Sequence, residues 1–143
     1  MTRTIPPHLA LGCLSREIVE ILMVESRRLD LDAVDILLIT CVAYLSTAHA
    51  LSDPMSIQEY DGGYRPLPIE HARPVIAKEV SITLNMNRET VRRRMSKLAE
   101  RNFLIKDGRY FLFPYQGGET DFTENTRNLA SRSVLRMANL LNL

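Results

Sequence analysis

The sequence predicts a mainly α-helical protein that carries one small β-hairpin, and three observations support this. Apolar residues recur at helical spacing in the N-terminal third of the chain and again between residues 77 and 101. Farther along, two apolar runs flank the dipeptide Asp107-Gly108, a strong local signal for a hairpin. With 143 residues, of which 45% are hydrophobic, the chain has the size of one domain and enough apolar material for a core.

The N-terminal segment, residues 1–52, is predicted to hold two helices for a core or a dimer interface. Ser15 is a candidate N-cap for a helix that runs to about Arg28. A second helix begins at Asp30 or Asp32 and continues toward Leu51. Because apolar residues surround much of this second helix, we expect it to be central to the fold.

Residues 53–73 lose all periodicity and contain several prolines and glycines, so they are predicted to form a long loop. Helical spacing resumes after Pro74, with a short helix over Ala77–Leu84. Asn85, Met86 and Asn87 then form a tight connection.

The next predicted helix spans residues 88–101, and Asn87 is a suitable N-cap for it. Val91, Met95 and Leu98 follow one another at i, i+4 and i+7 and should face the core. The predicted hairpin pairs Phe103–Lys106 with Arg109–Phe113. In the remaining segment, 115–143, a helix from about Thr120 to Leu141 serves either packing within the chain or dimerisation.

Charge is distributed unevenly along the chain. The span 73–109 contains ten basic and four acidic residues, a net charge of +6, whereas the remainder carries −5. A basic middle between acidic flanks is typical of a surface that binds a polyanion, although a solvated charged helix gives the same pattern.

The run R-E-T-V-R-R-R-M-S-K-L at Arg88–Leu98, followed by Asn102-Phe103-Leu104-Ile105 and the hairpin, resembles the winged helix-turn-helix of bacterial transcriptional regulators of the Crp, MarR and IclR types. The resemblance covers about 40 residues, 74–114. It implies a DNA-binding domain flanked by N- and C-terminal helices, with recognition helix 88–101 in the major groove. Wing 103–113 would then meet the DNA backbone or the minor groove.

The chain departs from these families at two points. Asn85 stands where many of them have glycine, but asparagine also tolerates a left-handed backbone. The helical N-terminal segment lacks the β-rich barrel of Crp-type regulators, which excludes cyclic-nucleotide control of that kind. Flanking helices are more similar to the MarR type.

The face opposite the apolar stripe supplies the expected DNA contacts. Arginine side chains suit guanine edges or phosphates, and Glu89 suits either a cytosine amino group or the positive end of the helix dipole. Arg94, nearer the buried border, is a candidate for a bridge to another helix. The full predicted set is Asn87, Arg88, Glu89, Thr90, Arg92, Arg93, Ser96 and Lys97 on the helix, with Lys106 and Arg109 on the wing.

Catalysis is not expected, because His8, His49 and His71 are scattered without metal-ligand spacing or a nucleophilic partner. Neither a metal nor a cofactor is predicted, and an effector ligand is unknown. Cys13 and Cys41 lack C-x-x-C spacing, and the N-terminus lacks the pattern of a signal peptide.

We therefore expect a cytoplasmic homodimer that binds double-stranded DNA sequence-specifically as a transcriptional regulator and does not associate with membranes. The alternative is a winged-helix module that contacts proteins instead of DNA.

Overall fold

The computed structural model describes residues 6–51 and 72–114, together with positions 132, 135 and 136. The chain divides into two compact units, one formed by Met1–Ala33 with Glu119–Leu143 and the other by Val34–Gly118. The predicted loop 53–73 lies outside the described residues except for Ala72 and Arg73, and so does most of the C-terminal segment. Within the described part, no helix combines the length and the apolar character needed to cross a membrane.

The first unit is built on a long helix, α1, which spans Pro7–Leu29. The prediction that this helix starts at Ser15 is wrong, because it begins with Pro7 in its first turn. Proline is well suited there, since its fixed φ is helical and its missing N–H would have no helical acceptor. Asp30 ends α1 in a left-handed conformation with φ 53°, which leaves only Asp32 to precede the second helix.

The three described C-terminal positions of the first unit are helical. Arg136 forms salt bridges to Glu17 at 3.2 Å and to Glu20 at 3.6 Å, both on α1. At this position the C-terminal segment therefore contacts α1 of its own chain.

The second unit begins with α2, Ala33–Leu51, which supplies several fully or nearly buried side chains, among them Ile36, Leu38, Ile39 and Val42. This agrees with the central position predicted for the helix, although Leu37 and Tyr44 remain exposed. A hydrogen bond of 3.0 Å from the Arg73 N–H to the Ser46 carbonyl ties α2 to the segment that precedes the sheet.

A short strand and two helices follow: β1 (Val75–Ile76), α3 (Ala77–Leu84) and α4 (Arg88–Glu100). Glu79 accepts a hydrogen bond from the Ile76 N–H at 3.1 Å and so caps the first turn of α3. Asn85 has φ 51°, and its left-handed backbone ends α3. The N–H groups of Asn85 and Met86 then bond back to carbonyls of the last turn.

Strands β2 (Ile105–Asp107) and β3 (Tyr110–Leu112) form the predicted hairpin, and the sheet has the antiparallel order β1-β3-β2. The strands are shorter than predicted, since Phe103 and Leu104 lie outside β2. The turn is also displaced by one residue: Asp107 pairs with Tyr110, which leaves Gly108 and Arg109 as the two turn residues. Gly108 has φ 57°, the glycine-first pattern of a type II′ turn.

Strand β1 is absent from the sequence prediction. Val75 pairs with Phe111 and Ile76 with Tyr110, so the first residues after Pro74 complete the sheet. Because α3 follows β1 without a break, this pairing fixes where the two helices start relative to the hairpin.

Candidate nucleic-acid interface

Helix α4 begins with a side-chain cap. The Asn87 Oδ1 accepts hydrogen bonds from the N–H groups of Glu89 at 3.0 Å and Thr90 at 3.1 Å. These bonds satisfy two of the four N–H groups that a helix leaves unpaired at its start. The predicted N-cap is therefore confirmed. The side-chain amide oxygen of Asn87 accepts its hydrogen bonds from within the helix.

The two faces of α4 differ sharply. Val91, Met95 and Leu98 are buried, with exposures of 0%, 0% and 2%, as the spacing predicted. Around the rest of the helix, cationic side chains extend into solvent. We refer to the exposed residues Arg88, Arg92, Arg93 and Lys97 as the basic face. Thr90 and Ser96 are half-buried at its edges.

Two exposed carboxylates accompany the cations of α4, Glu89 in its first turn and Glu100 at its end. Glu89 accepts a hydrogen bond from the Arg92 Nε at 2.9 Å and pairs with a second guanidinium nitrogen of the same residue. The hydrogen bond from Arg92 holds the pKa of Glu89 below its ordinary value; desolvation opposes this, and the charges of Arg92 and Arg93 add to the lowering. The same bond raises the pKa of Arg92. Arg92 is thus held by a neighbour, whereas the described residues offer Arg88, Arg93 and Lys97 no salt bridge.

Arg94 lies at the border between the two faces, with its side chain 32% exposed. Its guanidinium donates a hydrogen bond of 3.0 Å to Asp35, near the start of α2. The expectation that Arg94 bridges to another helix is confirmed, and α4 is anchored to α2 inside the second unit.

The hairpin contributes two exposed cations. Lys106 Nζ donates to the Ser96 hydroxyl at 3.1 Å, which links β2 to α4, and lies 5.8 Å from the centre of the Phe111 ring. Arg109, inside the turn, donates to the Tyr110 hydroxyl at 2.9 Å and lies 5.0 Å from the centre of that ring. Attraction of a cation to an aromatic face, about 0.5–1 kcal/mol at exposed sites, favours these conformations of both side chains.

All ten predicted residues are exposed or half-buried, and one of them, Asn87, also caps the helix. Lys106 and Ser96 are brought together, whereas Arg109 bonds within the hairpin. The sequence prediction did not include Arg101, which lies one turn beyond Lys97 and places its guanidinium 5.2 Å from the centre of the Phe103 ring. The spacing of four residues from Arg93 to Lys97 and from Lys97 to Arg101 is the sequence signal that could have identified Arg101.

Among the described residues, no group of three or more histidine, cysteine, aspartate or glutamate side chains is arranged to hold a metal ion. Both cysteines are free thiols. Comparison of the chain with protein-family models, with curated proteins and with solved structures finds no match.

Proposed function

We propose that this protein binds double-stranded DNA through a winged helix-turn-helix, in which α4 enters the major groove and the β2–β3 hairpin acts as the wing. In this proposal the protein is a cytoplasmic transcriptional regulator of the bacterial type that acts as a homodimer. The observation that carries the proposal is the basic face of α4, whose exposed cations share the helix with a buried apolar stripe.

Helix α4 is packed against the core on one side and presents cations to solvent on the other. Burial of Val91, Met95 and Leu98 stabilises its attachment by about 1.5–3 kcal/mol for each side chain. The Asn87 cap and the Arg94–Asp35 bridge determine its start and its rotation. The cations on the outer side are therefore held in a defined arrangement, which sequence readout requires.

Helix-turn-helix geometry supports the same reading. A short helix, a connection with a left-handed residue at Asn85, and a second helix with polar outer residues are the elements of that motif. The hairpin follows α4 directly, and the Lys106–Ser96 hydrogen bond holds it beside the helix. In that position the hairpin meets the DNA backbone flanking the groove.

Different roles follow for the two arginines at the centre of the basic face. Arg93, without a described salt bridge, is able to offer its guanidinium to a guanine edge or to a phosphate. Arg92 must exchange its bond to Glu89 for a DNA contact, and Glu89 is then repelled by phosphates unless it accepts a bond from a cytosine. The Glu89–Arg92 pair therefore disfavours indiscriminate binding to the backbone.

Binding of duplex DNA by wild type, Arg92→Ala and Arg93→Ala at several salt concentrations tests the proposal. We expect both variants to bind more weakly. A lost base contact lowers discrimination by about 1–3 kcal/mol, and a lost phosphate contact reduces the salt slope by about one unit. Arg16→Ala is the matched control, since Arg16 is an exposed arginine on α1 in the other unit.

Circular dichroism checks that the variants fold, which we expect because neither side chain is in the core. Two folded variants with wild-type affinity and an unchanged salt slope would show that α4 does not read DNA. The protein-interaction module would then be the better interpretation of the exposed helix.

A further inference from the structure

A cavity of about 300 Å³ opens beside the C-terminal half of α4. All of its described lining residues belong to the second unit, on α4, at its C-terminal end and at the start of α2. Four of its lining residues are cationic, one is a carboxylate and one is apolar: Arg93, Arg94, Lys97, Arg101, Asp35 and Leu98. We refer to it as the basic cavity.

The spacing along α4 explains why the cations gather there. Arg93, Lys97 and Arg101 follow one another at intervals of four residues, so they occupy successive turns on one side of the helix. Arg94 enters the cavity next to them and is held by its 3.0 Å bond to Asp35. Leu98, only 2% exposed, contributes the apolar part of the lining.

The balance of charge in the basic cavity favours an anion. Among the described lining residues Asp35 is the only carboxylate, and it is already bound to Arg94. Four of the six described lining residues are cationic, so this part of the lining carries a positive charge that the half negative charge at the C-terminal end of a helix does not cancel. A phosphate monoester carries about −1.5 to −2 at neutral pH, which matches this excess more closely than a single carboxylate does.

Arg101 is already positioned for such a ligand. Its backbone N–H bonds to the Lys97 carbonyl at 3.1 Å, and its guanidinium lies over the Phe103 ring. A planar guanidinium donates two parallel hydrogen bonds to phosphate oxygens. Less side-chain freedom is therefore lost when an anion arrives than for an unrestrained surface arginine.

We propose that the basic cavity binds a phosphate group. One source of this group is the backbone of bound DNA, and that source rests on the proposed function. The other is a free phosphorylated small molecule, whose binding does not require DNA. Arg93 and Lys97 belong to both the basic cavity and the basic face, so a free phosphate ligand and DNA compete for them. By linkage, each would then weaken the binding of the other by the same factor.

Titration of the full chain with pyrophosphate and with inorganic phosphate, at constant ionic strength in a chloride buffer, tests phosphate binding by calorimetry. We expect Arg101→Ala and Lys97→Ala each to weaken pyrophosphate binding by about three- to tenfold, the range for charged hydrogen bonds discounted for solvent exposure. Asp35→Asn should tighten it, since that change removes a negative charge from the lining. A purely structural role for Asp35 predicts the opposite sign. Lys78→Ala is the matched control, an exposed lysine on α3 outside the cavity.

A second titration, of the complex with duplex DNA, identifies the source. If a backbone phosphate occupies the cavity, bound DNA blocks pyrophosphate and Arg101→Ala lowers the salt slope for DNA by about one unit. If the ligand is free, pyrophosphate and DNA still compete for Arg93 and Lys97, but Arg101→Ala leaves the salt slope for DNA unchanged.

The proposal is overturned if wild type binds pyrophosphate no more tightly than chloride, or if folded Arg101→Ala and Lys97→Ala both bind it as wild type does. If the protein binds pyrophosphate but not DNA, the proposed function is contradicted and the phosphate site is not.

Discussion

Three asparagines in the second unit shape the ends of its helices. Asn85 and Asn102 have φ of 51° and 64°, and each ends a helix in the left-handed region that other non-glycine residues rarely adopt. Behind Asn102, the Phe103 N–H bonds to the Leu98 carbonyl at 2.9 Å, the long bond of a Schellman motif. Asn87 caps the start of α4. Together they set both ends of the helix that carries the basic face.

These positions also show which roles of single residues can be predicted from the sequence. The roles of Asn85 and Asn87 could be predicted, because a turn and an N-cap leave local signals of composition. The Glu89–Arg92 pair could not be decided, since the same spacing suits both an internal salt bridge and two separate DNA contacts. Side-chain pairing depends on rotamers, and the sequence does not report those.

Arg109 carries a prediction at this scale. It lies in the turn itself, tethered to the Tyr110 hydroxyl, and so extends from the tip of the hairpin. Arg109→Ala should weaken binding to all DNA sequences to a similar extent, because a phosphate or groove-width contact carries little base information. Competition titrations with several unrelated duplexes measure this.

Arg109→Lys is the control, since it keeps the charge and should retain much of the non-specific affinity. A shift in base preference by Arg109→Ala, with non-specific affinity intact, would mean that Arg109 reads bases.

Among the elements, the sheet departs most from what the sequence predicted. The hairpin was predictable because its signal, two apolar runs around Asp-Gly, is local. Strand β1 was not, since two residues are too few to show a period and their partner β3 is distant in the chain. The turn moved by one residue because the observed register pairs Asp107 with Tyr110. A dipeptide signal locates a turn but does not fix its register.

The central strand should therefore control the stability of the second unit. Phe111 lies in β3 between both neighbouring strands, opposite Val75 and Lys106, and is 1% exposed. Phe111→Ala should lower the free energy of unfolding by about 3–5 kcal/mol, through lost burial and the cavity it leaves. Urea denaturation measures the change.

Tyr110→Ala is the matched control on the same strand, because Tyr110 is 39% exposed. Its loss should cost about 1 kcal/mol or less. Equal effects of the two substitutions would contradict the assignment of Phe111 to the core.

For the whole molecule, the surface of α1 bears on assembly. Leu11, Leu14 and Ile18 lie along one side of the helix and are 64%, 42% and 49% exposed. We expect a two-fold dimer that covers this side, since two-fold dimers are the commonest oligomers and suit palindromic DNA sites. Light scattering at micromolar concentration should then give twice the chain mass of 16.3 kDa.

Ile18→Glu should convert the dimer to a monomer, because it places a charge in the apolar contact. Ile82→Glu, at a 69% exposed position on α3, should leave the mass unchanged. A wild-type mass near that of one chain would exclude the dimer.

The placement of the two cysteines allows the opening of each unit to be followed separately. Cys13 is half-buried on α1 in the first unit, and Cys41 is buried on α2 in the second. Burial shields the Cys41 thiol and raises its pKa, so we expect it to react faster when the surrounding structure opens. With Cys13→Ser and Cys41→Ser as single-thiol variants, labelling by a disulfide reagent should modify Cys13 quickly and Cys41 slowly. The labelling rates of the two thiols are then measured at increasing urea concentrations. If they become equal only at the global unfolding transition, the two units unfold together as one cooperative structure. An early rise at one thiol alone would show that its unit unfolds independently of the other.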